Sequence, residues 1–383
     1  MTEKKLKICY VTSMHDWNDD RIFERAAVGL ASLGHEVYFV APAENDFIDS
    51  GVHIKSIPKR TRIGKHIYGP IEAFNKMKTI EADIYHFHNP NMMWLMKKWA
   101  KKGHHVFIDI HENYEARLEK LPIPSFFKSR AIKLYRKIEN NYCKYYSGVT
   151  VVTESMKNKI KSSGSPILVV DNVPYLSRLK QIQLSRTKHK QPTIITSGFH
   201  SAARNCMKAV EALPYIAEKI PDIQMLFVGR FQPESFEKDL HERAHELGVS
   251  KHLKTEGMLP WLDNFERISK AHMGCVFYED NLNNRYTLPN RLYEYMYCGL
   301  AVLGEDFPEV RVKLDKSKSG VTVNSTDPLS IANGAISILN SQEHLNRFGK
   351  NAKLAVEELF NFENALIDLN KFYNESITKK NVI

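Results

Sequence analysis
The chain has 383 residues, 43% of them hydrophobic and 26% charged, so it is globular, too long for one ordinary core, and suited to two domains. Its formal net charge of +10 is unevenly placed: residues 1–190 hold 32 Lys and Arg against 19 Asp and Glu, and the rest hold 22 against 25. No apolar run approaches the ~20 residues that span a membrane, and no signal-peptide core opens the chain. The five cysteines are widely spaced with no CxxC pair, which excludes a disulfide-built fold and predicts small core cysteines in a cytoplasmic protein.

In chain order, short β-rich apolar runs fall at 7–12, 36–40, 53–57, 84–88, 106–110, 149–153 and 167–170. A second series follows at 193–196, 225–229, 253–256, 274–278, 301–303 and 320–323. Helix-length segments separate many of them, and most lack polar alternation, the pattern of parallel sheets covered by helices. Between the two series lies 177–191, polar, basic and followed by Pro192. The predicted architecture is α/β: two doubly wound Rossmann-like domains, 1–176 and 192–361, joined by a linker at 177–191. A ligand cleft between them, at the carboxyl ends of the strands, is expected. Neither series opens with GxGxxG and no GxxxxGK[ST] occurs, which argues against a dinucleotide dehydrogenase or a P-loop enzyme.

Four local patterns bear on chemistry. Between 125 and 147, Phe127, Ala131, Leu134, Ile138, Tyr142 and Tyr145 form a helical stripe, flanked by Lys128, Arg130, Lys133, Arg136, Lys137 and Lys144. Such a helix faces the core with a solvated basic side, or lies on an anionic lipid surface, and both hold if only its aromatic end dips into the headgroups. His111 follows the apolar run 106–110 and so stands at a strand's carboxyl end. His86 and His88 share one face of a strand, but no complete metal-ligand spacing accompanies them, and no metal is expected. The segment Leu-Pro-Asn-Arg-Leu-Tyr-Glu-Tyr-Met-Tyr-Cys-Gly at 288–299 predicts a short helix with Pro289 in its first turn and Gly299 as a left-handed cap. Its free N–H groups near Asn290 and Arg291 suit an anion. Glu294, on the same face as Asn290, offers an acceptor pair to whatever carries that anion; a sugar nucleotide has both needs.

Taken together, the motifs resemble a retaining GT-B glycosyltransferase of family 4, which includes bacterial polysaccharide enzymes. The resemblance rests on Asp-Asp-Arg-Ile-Phe-Glu at 19–24, the run 33–42, Asp-Ile-Tyr-His-Phe-His-Asn-Pro at 83–90, Ile-Asp-Ile-His-Glu at 108–112 and Asp-Asn-Val-Pro at 171–174. It continues through Leu-Phe-Val-Gly-Arg at 226–230, Gly-Met-Leu-Pro at 257–260 and Asn-Phe-Glu at 361–363. It implies that 362–383 is a helix returning to the first domain. It implies Arg204 on the donor's diphosphate, Glu294 on its ribose and His111 on its sugar. Gly198, Phe199, Asn205, Arg230, Met258, Leu259, Leu288, Pro289 and Asn290 would complete the donor site. Asp16, His88 and Asn89 would lie where the acceptor is received. Two departures bear on the donor. Tyr286 stands where the family often has a first glutamate, and the loop 198–205 holds only Arg204 where an Arg and a Lys are usual.

The function expected is retaining transfer of a hexosyl group from a nucleotide-diphosphate sugar to a lipid-linked or growing saccharide, in bacterial surface polysaccharide synthesis. Arg204 and helix amides would supply the charge of a metal, so no cofactor is expected. The basic first half predicts peripheral docking on the anionic inner face of the cell membrane. The alternatives are a GT-B sugar-nucleotide epimerase, an inactive sugar-nucleotide binder, or a nucleic-acid-binding protein. The last is disfavoured because no RNP, helix-turn-helix or zinc-finger signature accompanies the basic half.

Overall fold
The computed structural model describes residues 4–119, 122, 124–160, 163–185 and 187–380. The chain divides into two compact units, 1–172 with 362–383, and 173–361.

In the first unit the strands are β1 (Lys7–Val11), β2 (Glu36–Pro42), β3 (Phe47–Asp49), β4 (Val52–Ile57), β5 (Ile84–Phe87), β6 (His105–Ile110), β7 (Gly148–Val151) and β8 (Ile167–Val169). They form one sheet in the order β3-β4-β2-β1-β5-β6-β7-β8. All neighbours are parallel except β3, which runs antiparallel to β4. The chain leaves β1 in one direction through β2 and in the other through β5, so the switch point lies at the ends of β1 and β5. The apolar run of β1 is buried from Ile8 to Val11, as a strand with helices on both faces requires.

The last helix, Phe362–Lys380, belongs to this unit. Phe362, Leu366, Leu369 and Tyr373 are buried. The Tyr373 hydroxyl lies 2.9 Å from that of Tyr10 on β1 and also meets His86 Nδ1, while His35 Nε2 lies 3.0 Å from Asn370 Oδ1.

The second unit holds β9 (Thr193–His200), β10 (Gln224–Phe231), β11 (Leu253–Glu256), β12 (Met273–Val276), β13 (Ala301–Glu305) and β14 (Gly320–Val323). Its order is β11-β10-β9-β12-β13-β14, parallel throughout, with the switch point at β9 and β12.

Each of the apolar runs expected as a strand is one. Strand β3 was not foreseen: Phe-Ile-Asp is too short to show a period, and it pairs only because Ser50 and Gly51, both at positive φ, turn the chain back into β4. The stretch 177–191 is not a free linker. The boundary falls at Asn172–Val173, and 177–191 lies with the second unit. Tyr297 donates to the Leu179 carbonyl at 2.7 Å, Lys188 Nζ to Ala271 O at 2.8 Å and the His189 N–H to Lys270 O at 2.8 Å. These three groups thus find partners on that unit. All five cysteines are buried and free.

Only the carboxyl end of the stripe between 125 and 147 faces the core, where Tyr142 packs against it. On the helix Ser125–Cys143 the buried residues are Glu139 and Cys143. Phe126, Phe127, Leu134 and Ile138 are 57%, 56%, 59% and 42% exposed. Arg136 leaves the stripe's flank to pair bidentately with the buried Glu115, which draws the polar face inward. Among the described residues no helix is long and apolar enough to cross a membrane.

Candidate functional site
Both units gather polar side chains at their switch points. In the first, the centre is Asp109, the second-last residue of β6 and buried. Asp109 and His111 are two apart and so share a strand face. His111 Nδ1 lies 2.9 Å from Asp109 Oδ2. An ionised carboxylate only accepts, so Nδ1 carries the hydrogen and Nε2 is the ring's other reactive position. Arg21 clamps the same carboxylate through Nε at 3.0 Å and Nη2 at 2.9 Å, and Thr150 donates at 2.6 Å. Burial alone would raise the Asp109 carboxyl; the Arg21 charge and the His111 and His88 hydrogen bonds hold it well below the usual range.

Arg21 is delivered by local geometry. Asp19 caps the π-helical segment Asp20–Ala27, its carboxylate accepting from the N–H groups of Arg21 and Ile22. Arg21 then reaches Asp109, Asn172 Oδ1 at 2.6 Å and Val170 O at 3.0 Å.

His88 is also buried here, its Nδ1 3.2 Å from Asp109 Oδ2 and its Nε2 without a hydrogen-bond partner. Burial brings its pKa down to about 4, so it is neutral at pH 7. Asn89 is buried and bridges the switch point, accepting from Thr12 Oγ1 at 2.7 Å and the Ser13 N–H at 3.0 Å. Two of the residues expected to receive an acceptor are therefore committed inside the fold. Asp16 is exposed on the loop after β1, beside His15, whose ring centroid lies 5.3 Å from that of His111. His88, Asp109 and His111 each place one ligand atom within 4.8 Å of the others, a spacing that could hold a metal ion. The Arg21 cation already occupies that carboxylate, which works against a second cation.

In the second unit the helix Asn290–Tyr297 packs on β12 and β13 and is tied to β9 by Arg291 and Tyr295. Pro289 is not in its first turn: with φ −78° and ψ 141° it is the extended residue preceding the helix. Its carbonyl accepts from the Leu292 N–H at 3.0 Å, and the N–H groups of Asn290 and Arg291 lead the first turn. Gly299, at φ 68°, ends the helix as expected, and Leu300 N–H returns to Tyr295 O at 3.0 Å. Tyr295 pins the helix to β9 by accepting the Ser197 N–H at 2.8 Å. A Cβ on Gly274 of β12 would sit 2.3 Å from the Tyr295 ring, so the approach of helix to sheet needs glycine there.

Glu294 is partly exposed on this helix, and burial raises its carboxyl to about 7. Leu288 is buried beneath the turn before the helix, and Asn290 is exposed. Arg204 sits on the one-turn segment Ala202–Arg204, over Gly198, whose added Cβ would be 3.9 Å from Arg204 Nη1. Its guanidinium carbon lies 5.3 Å from the Tyr278 ring centroid. The segment is held by the Glu279 N–H donating to Ala203 O at 2.8 Å. Asn205 adopts the left-handed conformation and donates through Nδ2 to Ser325 Oγ at 2.7 Å, and Ser325 in turn donates to the buried Glu305. Its side chain therefore braces the loop. Phe199, Arg230 and Met258 are exposed at the ends of β9, β10 and β11, with Leu259 partly so.

The sequence reading passed over Arg21 and Asp109 as partners, although their motifs were noted. The i, i+2 spacing of Asp109 and His111 was the available signal. Arg291 was read for its backbone N–H alone; its side chain and Tyr278 carried no signal of their own.

Residues 20–173 match the model of Glycosyltransferase Family 4, and residues 177–355 match that of Glycosyl transferases group 1. A phosphatidyl-myo-inositol mannosyltransferase of Mycolicibacterium smegmatis is 24% identical over 327 residues, covering 82% of this chain and 79% of the relative. Among solved structures, a glycosyltransferase from Rickettsia africae superposes with a TM-score of 0.72 at 14% identity, over 98% of this chain and 99% of that one. A sucrose-phosphate synthase from Thermosynechococcus elongatus gives 0.71 at 14%, over 98% and 100%. Two Rossmann-like units with this likeness define a GT-B glycosyltransferase. The chain belongs to glycosyltransferase family 4.

Proposed function
We propose that this glycosyltransferase moves a hexosyl group, with retention of configuration, from a nucleoside-diphosphate sugar to a lipid-linked or growing saccharide. The observation that carries the reading is the conjunction in the second unit of the Asn290–Tyr297 helix N-terminus, Arg204 and the raised carboxyl of Glu294. The amides and Arg204 meet the charge that grows on the departing diphosphate, and Glu294 accepts from ribose hydroxyls. These groups supply the charge a metal would, so turnover is metal-independent in this reading. His111, oriented by Asp109, meets the transferred sugar, and Asp16 lies on the acceptor side.

The lipid-linked acceptor is supported by the relative's name, which specifies a phosphatidyl-myo-inositol substrate for that protein. It is supported too by exposed Ile63, Ile67 and Tyr68, which adjoin the loop after β1 through Lys65 Nζ donating to Met14 O at 3.4 Å. The exposed stripe on Ser125–Cys143 supports peripheral docking on an anionic membrane at the cytoplasmic face. The setting we infer is bacterial surface polysaccharide synthesis.

The test begins with thermal-shift measurements against UDP, GDP, TDP and CMP and their common sugars, because a ligand of the folded state raises its apparent stability. One nucleotide family should stabilise the protein. Transfer should persist in EDTA, the product's anomeric configuration should match the donor's by NMR, and Glu294→Ala and Arg204→Ala should each lower kcat/KM at least tenfold. Near-wild-type turnover in both variants would sink the site assignment. Donor consumed without acceptor would identify an epimerase, and binding without turnover an inactive binder.

A further inference from the structure
Arg291 is the second residue of the helix Asn290–Tyr297 and is only 6% exposed. Its Nη1 donates to Thr196 Oγ1 on β9 at 3.2 Å, while Nη2 is buried with no hydrogen-bond partner. Among the described residues no carboxylate pairs with it. Arg21 shows the contrast: Asp109 neutralises it through two hydrogen bonds. A guanidinium buried without a counter-charge is costly, and such a group persists where something else supplies the anion.

The surroundings point to what supplies it. The guanidinium carbons of Arg291 and Arg204 each lie 5.3 Å from the centroid of the same Tyr278 ring. Two cations sharing one ring repel unless a multiply charged anion joins them. The N–H groups of Asn290 and Arg291 lead the helix that carries this second guanidinium. Loop 198–205 has one cation where the resemblance leads one to look for two, and Lys208 in the following helix is engaged with Glu211 at 2.8 Å.

We propose that the Arg291 side chain is the second phosphate-binding cation of the donor site, its Nη2 and the Arg204 guanidinium holding the two phosphoryl groups of one diphosphate. The missing loop cation is thereby replaced from a different element of the same unit. The proposal rests on the donor-site reading above, and makes the diphosphate, rather than the nucleoside, the main source of affinity. Arginine suits the position because its planar fork spans two phosphate oxygens from a fixed geometry.

The test uses the full-length protein, calorimetry and thermal shift, with inorganic pyrophosphate and the four nucleotides as probes, on the wild type, Arg291→Met and Arg291→Lys. Arg291→Met should weaken pyrophosphate and nucleoside-diphosphate binding by on the order of a hundredfold. Arg291→Lys should recover part of this, keeping the charge but not the fork. The ligand-free Tm of Arg291→Met should be no lower than wild type, since a buried cation without a partner is removed. Unchanged affinity for both probes in Arg291→Met would overturn the proposal while leaving the donor reading intact. A variant that fails to fold would overturn it too, making Arg291 a brace for Thr196. Wild-type protein that binds pyrophosphate in an Arg291-dependent way but no nucleotide would keep the anion site and remove the donor reading. Binding of neither probe would remove both.

Discussion
Glu294 combines a position on the helix proposed to meet the donor with a carboxyl that burial has raised from 4.5 to about 7. The folded state therefore binds this proton more tightly than the unfolded chain. Its contribution to stability is fully present below pH 4.5 and is lost as pH rises through 7, because ionisation then occurs in a poorly solvated place. Glu294→Gln keeps the shape and removes the charge. In urea titrations it should be more stable than wild type at pH 8, by about 3 kcal/mol at most, and indistinguishable from it below pH 4.5, with transferase activity greatly reduced at both. A stability difference independent of pH would show that the carboxyl is not raised in the fold. The place of Glu294 on a short helix was legible because a lone carboxylate in a segment that opens after a Pro and ends at a Gly is a local pattern. Arg291, three residues earlier, was not. Its significance lies in Thr196 on β9, in Tyr278 in the loop after β12, and in the lack of any acid beside it among the described residues.

The helix Ser125–Cys143 and its neighbour Met93–Ala100 present one exposed aromatic and basic surface. Lys97 Nζ lies 4.3 Å from the Tyr145 ring centroid, Lys98 Nζ 4.9 Å from that of Trp94, and Arg130 packs 3.9 Å over Phe126. Amphipathic periodicity located the stripe but could not say which face turns inward. That was decided by Glu115, which takes Arg136 and Lys159, and by buried Glu139, which accepts from Tyr135 at 2.8 Å. Because Phe127 and Leu134 are largely exposed, Phe127→Ser with Leu134→Ser should leave the unfolding midpoint almost unmoved, within about 0.5 kcal/mol per site. Sedimentation with phosphatidylglycerol vesicles should fall severalfold in the same variant, and wild-type binding should weaken as salt rises toward 0.5 M, a concentration at which surface charges are screened beyond roughly 5 Å. Unaltered sedimentation would remove the membrane reading of this helix and leave only its packing through Tyr142 and Cys143.

At the scale of the whole molecule, the first unit is assembled from both ends of the chain. The closing helix Phe362–Lys380 buries Phe362, Leu366, Leu369 and Tyr373 against it, and Gly148 admits Phe372, whose ring an added Cβ would meet at 2.6 Å. A chain truncated after Asn361 would leave Tyr10, His86 and His35 without their partners in that helix. Its calorimetric trace should show the first unit's transition lowered by many degrees or lost, with nucleotide binding by the second unit retained; an unshifted trace would show the helix to be dispensable. By itself the sequence determined the two parallel α/β units, almost every strand, the glycine-capped helix and Glu294 upon it, because those depend on apolar runs and local caps that neighbouring residues specify. Only the tertiary structure decided that 177–191 belongs to the second unit, which face of Ser125–Cys143 meets solvent, that Asp109 joins Arg21 to His111, and that Arg291 lies buried with no acid beside it among the described residues. Each of these is a pairing or a missing pairing between residues far apart in the chain, and burial, which sets its energy, exists only once the sheets have formed.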